Sequence, residues 1–206
     1  MGKSVKAYLT KLDELNVIML ESYYSASRKK QVIEDLHDLL VEAYLLGIEH
    51  VSEDVGRVII VGPEQEPGEK TGKVVTVTME NLEEAVYREI DGETFEDRAE
   101  EHLRNDDIRA LQTLAESEYH RVFNEATADG AAEYTRQTGR PVAKTWHTMR
   151  DNRVRETHEG LEGQRIPFND WFYANDGDQT LFPGGFMNPE NNVNCRCWLT
   201  VERVNA

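Results

Sequence analysis

The side chains that could do chemistry lie in the last third of the chain. Cys195 and Cys197 are the only two cysteines among 206 residues, and a single residue separates them. His158 lies upstream, at the end of the segment D-N-R-V-R-E-T-H at 151–158. Thiolate and imidazole groups either bind zinc or act as a nucleophile and its base. The sequence therefore places its candidate chemistry between residues 151 and 197.

Zinc binding is the first of three interpretations of His158, Cys195 and Cys197. Both residue types are ordinary zinc ligands, and a closed structural site needs four ligands. The sequence offers three, and the candidates for the fourth position are His147, Asp151 or a water molecule. Because a C-x-C pair is less specific than two separated C-x-x-C pairs, the zinc site is a hypothesis.

The second interpretation gives the same residues a packing role. On a strand, the two cysteines would be small buried groups on one side, because side chains alternate with a period of two. Asp151 would pair with an arginine, His158 would hydrogen-bond a backbone carbonyl, and Arg196 would point to the opposite face. A disulfide between residues this close in sequence would be strained, so the sequence indicates free thiols or metal ligands.

Catalysis is the third interpretation. The segment resembles the zinc deaminase pattern H-x-E…P-C-x-x-C only in part. Glu159 directly follows His158, the cysteine pair is C-x-C, and Pro189 lies six residues before the first cysteine. A cysteine nucleophile with His158 as its base is also conceivable. The sequence contains no glycine-rich phosphate loop and no H-E-x-x-H motif, so we expect no enzymatic activity.

Apolar residues at helical spacing predict the elements that position these side chains. The period near 3.6 predicts helices over residues 3–27 and 28–51, a helix capped by Asn81, and helices over 95–103 and 106–135. Residues 139–141 (Gly-Arg-Pro) end the helical part. Strands are predicted at 142–149 and 197–204.

Two β-branched runs, at 57–62 and 73–79, enclose a long polar turn and predict a β-hairpin. The expected organisation is an N-terminal helical region (1–56), the hairpin (57–80), a helical middle (81–138) and a small C-terminal α/β domain (139–206). The predicted fold class is therefore α-rich α+β.

The charge distribution limits the partners. The formal net charge is −16, and most of the excess lies in residues 51–137. Because DNA phosphates repel such a surface, we expect at most weak DNA contact, through arginines near residues 150–165. The sequence has no run of about 18 apolar residues and no signal-peptide core near its start, so we expect a protein made in a cytoplasm and not bound to a membrane.

One ordered pattern in the C-terminal region is similar to a known family. Lys144 and Trp146 precede D-x-R-x-R-x-x-H-x-x-x-x-G, and a phenylalanine, a proline-containing loop and N-C-R-C follow. Over residues 105–201 this order resembles the C-terminal domain of the phage Mu F-like minor head (head morphogenesis) proteins of tailed bacteriophages. The motif residues are Asp151, Arg153, Arg155, His158, Gly163, Phe168, Asn194, Cys195, Arg196 and Cys197.

The resemblance implies a minor capsid protein of a tailed phage or prophage. Such proteins are associated with the portal vertex or head interior in few copies, after assembly in the host cytoplasm. The implied partners are the portal protein and the major capsid or scaffold proteins, and the implied roles are head morphogenesis or DNA ejection. Domains of this family also occur fused to toxin modules, so the alternative is a metal-dependent enzyme or toxin-related module that uses His158, Cys195 and Cys197.

Overall fold

The computed structural model describes residues 3–8, 10–11, 26–63 and 74–204, which form an α-rich α+β fold. The predicted fold class is therefore confirmed. Residues 3–8 and 10–11 are helical, whereas most of the helix predicted over 3–27 lies outside the described residues. Within the described ranges, no helix has the length and apolar character needed to cross a membrane.

The first four helices after residue 25 follow the predicted order along the chain. They are α1 (Ala26–Val55), α2 (Met79–Val86), α3 (Phe95–Arg104) and α4 (Ile108–Thr138). Two short helices of the C-terminal region, α5 (Glu156–Glu159) and α6 (Pro189–Asn192), were not predicted. The two long helices, α1 and α4, pack against each other along the helical part of the protein. As predicted, α4 ends at Gly139, whose φ of 67° closes the helix.

Threonines begin the two short helices of the middle region. Thr78 caps α2, because its hydroxyl accepts a hydrogen bond from the backbone N–H of Asn81. The predicted cap at Asn81 is therefore wrong, since the helix already begins at Met79 and Thr78 supplies its cap. Thr94 caps α3 in a reciprocal arrangement with Asp97, whose carboxylate accepts from the Thr94 N–H at 3.0 Å.

The predicted β-hairpin is wrong in its strand direction. Strands β1 (Val58–Gly62) and β2 (Val74–Thr78) do pair, but they run parallel, with Val58 opposite Val74. The connection between the two strands, residues 63–73, is longer than a hairpin loop, which has about two to five residues. Its length is close to the dozen or so residues that join neighbouring parallel strands. Ile59, Val75 and Val77 are buried in the helical core, so both strands cover it.

A three-stranded antiparallel sheet organises the C-terminal region. Its order is β4 (Arg165–Pro167), β3 (Val142–His147) and β7 (Trp198–Arg203), and a small pair, β5 (Phe172–Tyr173) with β6 (Gln179–Thr180), lies apart from it. Val142 and Val201 join the helical core. A second apolar cluster contains Trp146, Leu161, Phe172, Ala174, Phe186, Cys195, Cys197 and Leu199. The sheet therefore contributes to both cores, and the predicted domain boundary near residue 139 stays a prediction.

Gly47 sets the distance between α1 and α4. A methyl group at this position would lie 2.4 Å from the carbonyl oxygen of Phe123 and 2.7 Å from Cβ of Ala126, both on α4. These are distances that real Cβ atoms do not adopt, and a backbone oxygen cannot move aside without moving the helix. The two helices therefore need glycine at this contact.

We expect Gly47→Ala to lower the free energy of unfolding by about 1–3 kcal/mol, because overpacking outweighs the gain in helix propensity of about 1 kcal/mol. Urea denaturation checks this result. Glu49→Ala changes an exposed residue two positions away on α1 and serves as the control. A Gly47→Ala protein that is more stable than the wild type would show that the helices are not in tight contact.

A carboxyl group also lies in the α1–α4 contact. The Tyr44 hydroxyl on α1 donates a hydrogen bond of 2.7 Å to Asp129 on α4. Burial is the main cause that raises the pKa of Asp129 to about 7, and the nearby carboxylates of Glu125, Glu84 and Glu133 add to it. The folded protein therefore holds this proton more tightly than the unfolded chain does.

We expect the contribution of Asp129 to stability to fall as pH rises from about 4 to 7, since its folded-state pKa exceeds its unfolded value, and to level off above pH 7. Asp129→Asn, which keeps an acceptor for Tyr44, should match the wild type near pH 4. At pH 8 it should be more stable, by up to about 4 kcal/mol. Denaturation at several pH values measures this difference. Asp38→Asn, at an exposed site on α1, controls for the loss of one charge, and an equal gain in that variant would contradict the assignment.

Candidate functional site

The structure brings the three candidate zinc ligands together. Nδ1 of His158, on α5, lies 3.7 Å from Sγ of Cys195 and 3.7 Å from Sγ of Cys197. The three ligand atoms all lie within 4.8 Å of one another. All three residues are buried, with exposed fractions of 1%, 5% and 4%. Segments far apart in the sequence thus form one compact sulfur–nitrogen cluster.

Asparagine and aspartate side chains position the short helix that carries His158. Thr157 donates a hydrogen bond of 2.9 Å to Oδ1 of the buried Asn191 on α6. The amide of Asn191 donates in turn to Asp176 at 2.9 Å and to Asp178 at 3.0 Å. The hydrogen bond from Asn191 is the main cause of a lowered pKa for Asp176. These bonds tie α5, the 176–178 turn and α6 into one unit.

Asn124 on α4 holds the cysteine segment from the other side. Its amide nitrogen donates to the carbonyl of Cys197, and its oxygen accepts from the N–H of Leu199, both at 3.3 Å. The preceding Asn194 has a φ of 57°, a left-handed conformation that asparagine tolerates better than most residues. Both cysteines precede β7, which begins at Trp198. The prediction that they lie on a strand is therefore wrong, because the strand begins only after the turn at Asn194 and the two cysteines.

The arginines of the motif contact the protein itself. One terminal nitrogen of Arg196 donates to both oxygens of Asp151, at 2.8 and 3.0 Å, which confirms the predicted pair. This hydrogen bond is the main cause of the lowered pKa of Asp151. Arg153 also lies 3.8 Å from the Asp151 carboxylate, and Arg155 donates to the carbonyl of Val193. The motif arginines thus fix the loop that leads into the cysteines.

The remaining motif residues support β3. Gly163 has a φ of 74°, which favours glycine, and its N–H donates to the carbonyl of Trp146 at 2.9 Å. The buried amine of Lys144 lies 5.5 Å from the ring centroid of Phe168 and donates to the carbonyl of Leu181 at 2.9 Å. Burial lowers the pKa of Lys144 to about 8.

The pKa values of the two thiols in the cluster shift in opposite directions. The pKa of Cys195 is well below its usual value, chiefly because Cys197 donates a hydrogen bond to it, and because His120 and His158 also hydrogen-bond it. The same hydrogen bond, with burial, raises the pKa of Cys197. Cys195 is therefore the more acidic of the two thiols. The pair can hold a soft metal ion, but it offers a substrate little exposed surface.

The two side chains predicted as candidates for a fourth zinc ligand, His147 and Asp151, make other contacts. Nε2 of His147 lies 2.7 Å from Oγ1 of Thr200, and Asp151 is bound to Arg196, so neither approaches as a fourth ligand. The predicted hydrogen bond from His158 to a backbone carbonyl is wrong. Its Nδ1 faces the sulfurs instead, and Nε2 has no hydrogen-bond partner within the described part of the chain.

The sequence prediction missed His120 and Asn124. Both lie on α4 four residues apart, and they are 2% and 0% exposed. Their only sequence signal is a polar pair at i and i+4 within an apolar helical stripe. Periodicity alone does not say that this face meets residues 195–199.

We expect Asn124→Ala to lower the free energy of unfolding by about 2–4 kcal/mol, because it leaves the Cys197 carbonyl and the Leu199 N–H buried without their partner. Thermal and urea denaturation measure the effect. Asn152→Ala, at an exposed turn position, is the matched control and should change stability by less than about 0.5 kcal/mol. Equal stability of the two variants would contradict the role of Asn124.

Comparison with known proteins places this geometry in a family. Residues 77–200 match the family model described as Phage Mu protein F like protein. The match covers well over half of the chain, and it begins with the end of β2, before the motif region recognised in the sequence. No curated protein and no solved structure gives a match. The chain therefore belongs to the phage Mu protein F-like family and is a phage head morphogenesis protein.

Proposed function

We propose that this chain is a minor head protein that binds the portal protein of its own phage and acts in head assembly by binding, without catalysing a reaction. Family membership supports a role in the head. The observation that carries the proposed binding mode is an exposed acidic surface within the matched residues. The cysteine motif supplies a fixed shape next to it.

The acidic surface lies on α2, α3 and the turn between them, here called the α2–α3 acidic segment (residues 80–101). Acidic side chains dominate its exposed positions, and few basic residues interrupt them. Its exposed acidic residues are Glu80, Glu83, Glu84, Glu89, Asp91, Glu93, Glu96, Asp97, Glu100 and Glu101. A surface of one charge sign attracts a partner of the opposite sign and speeds its association. A basic patch on a portal subunit fits this requirement.

The C-terminal arginines support a protein partner over DNA. Arg150 pairs with Glu162 at 2.7 Å, and Arg165 pairs with Glu202. Asp151 holds both Arg153 and Arg196. Arginines already paired with carboxylates contribute less to phosphate binding, which depends on clustered free positive charge. We therefore propose at most a weak DNA contact.

Co-purification with the portal protein encoded in the same phage genome tests the proposal. We expect a stable complex in which this chain is substoichiometric to portal, and which weakens as salt rises from about 50 to 500 mM because the charges are screened. Sedimentation at both salt concentrations measures stoichiometry and strength. Absence of a complex at either salt would contradict portal binding, and a complex with capsid or scaffold protein alone would assign a different partner.

A pair of charge-matched variants tests the surface itself. Glu83→Lys combined with Glu101→Lys reverses two charges in the α2–α3 acidic segment, and we expect Kd for portal to rise about tenfold or more. Asp38→Lys combined with Glu49→Lys makes the same change in net charge at exposed sites on α1 and should leave Kd within about twofold. Equal losses in both variants would show that net charge, and not this surface, determines binding.

A further inference from the structure

We propose that His158, Cys195 and Cys197 bind a zinc ion through three protein ligands. This inference does not depend on the portal-binding proposal, because it concerns only the interior of the protein. It assigns a resident metal to the cluster.

The two nitrogen–sulfur distances in the cluster are those expected around a tetrahedral zinc ion. With zinc–sulfur bonds of about 2.3 Å and zinc–nitrogen bonds of about 2.1 Å, the nitrogen and sulfur ligands lie about 3.6 Å apart. Nδ1 of His158 lies 3.7 Å from each cysteine sulfur. An ordinary packing contact with a hydrogen bond does not require both sulfurs to lie at the same distance from one nitrogen.

A small cavity lies against the three ligands. Its volume is about 10 Å³, and it is lined by His158, Cys195 and Cys197 together with Met149, Val154, Asn194 and three arginines, Arg153, Arg155 and Arg196. This space is about the size of one water molecule, which is more than a single metal ion needs. Trp146, Phe172 and Phe186 belong to the same apolar cluster as the two cysteines.

His120 lies outside the ligand set. One of its ring nitrogens, Nδ1, lies 2.5 Å from the Tyr8 hydroxyl, and the other, Nε2, lies 3.3 Å from the amide nitrogen of Asn124. Among the residues that the structure describes, only His158, Cys195 and Cys197 have ligand atoms that all lie within 4.8 Å of one another.

The ligand types select zinc among common divalent ions. Two thiolates and one imidazole suit zinc, whereas magnesium and calcium prefer oxygen ligands. No carboxylate belongs to the cluster within the described residues. Zinc binding requires both thiols to lose their protons, and the two thiolates then balance the charge of the ion. The metal would join α5 and the segment before β7.

Metal analysis of the full-length protein purified under reducing conditions tests the proposal. We expect about one zinc per chain by elemental mass spectrometry, and tetrahedral visible absorption after replacement with Co²⁺. Chelator should remove the zinc and lower Tm, because metal binding energy contributes to folding. Reduced protein that contains no zinc and takes up neither Zn²⁺ nor Co²⁺ would overturn the proposal.

Variants identify the individual ligands. Cys195→Ser, Cys197→Ser and His158→Gln should each lose the metal. His147→Gln, at a histidine bonded to Thr200, is the control and should retain zinc. Because variants that lose zinc can also unfold, circular dichroism accompanies each measurement.

The outcomes separate the parts of the proposal. Wild-type affinity and spectrum in a folded His158→Gln protein would remove His158 from the ligand set. Full zinc content in a folded Cys197→Ser protein would overturn the site as a whole. Zinc in the wild type that survives in every cluster variant but disappears in His147→Gln would place the metal elsewhere.

Discussion

The close contact between α1 and α4 is the constraint on which the rest of the structure depends. Gly47 lets the α1 backbone lie against the Phe123–Ala126 turn of α4, and a larger side chain would not fit. The same stretch of α4 carries His120 and Asn124, which reach the segment before β7. A shift between the two long helices would therefore also move the cysteine cluster.

Polar contacts hold the C-terminal region because it contains little regular structure. Its strands are short, and its apolar cluster around Trp146 is small. Side chains of Asn, Asp and Arg take the place of a larger core by bonding backbone groups and one another. Asn191 alone joins Thr157 to the 176–178 turn. Such directional bonds determine geometry more strictly than apolar contact does.

The family motif therefore specifies an internally braced module. Asp151 with Arg196, Lys144 with Phe168, and His158 with the two cysteines are contacts within the protein. Residues used in this way cannot also vary freely to fit a partner. The exposed acidic segment of α2 and α3 lies outside those contacts, so recognition of a partner and stability of the fold can be carried by different residues.

The sequence by itself determined the fold class, the helices α1 to α4 and their order, the end of α4 at Gly139, the strands β3 and β7, and the importance of residues 151–197. Apolar period, caps and turn residues act within a few positions, so a single sequence displays them. Only the tertiary structure decided that β1 and β2 run parallel, and that His120 and Asn124 meet the cysteine segment. Asn124 lies 73 residues from Cys197. Contacts over such separations depend on how whole elements pack, which no local pattern records.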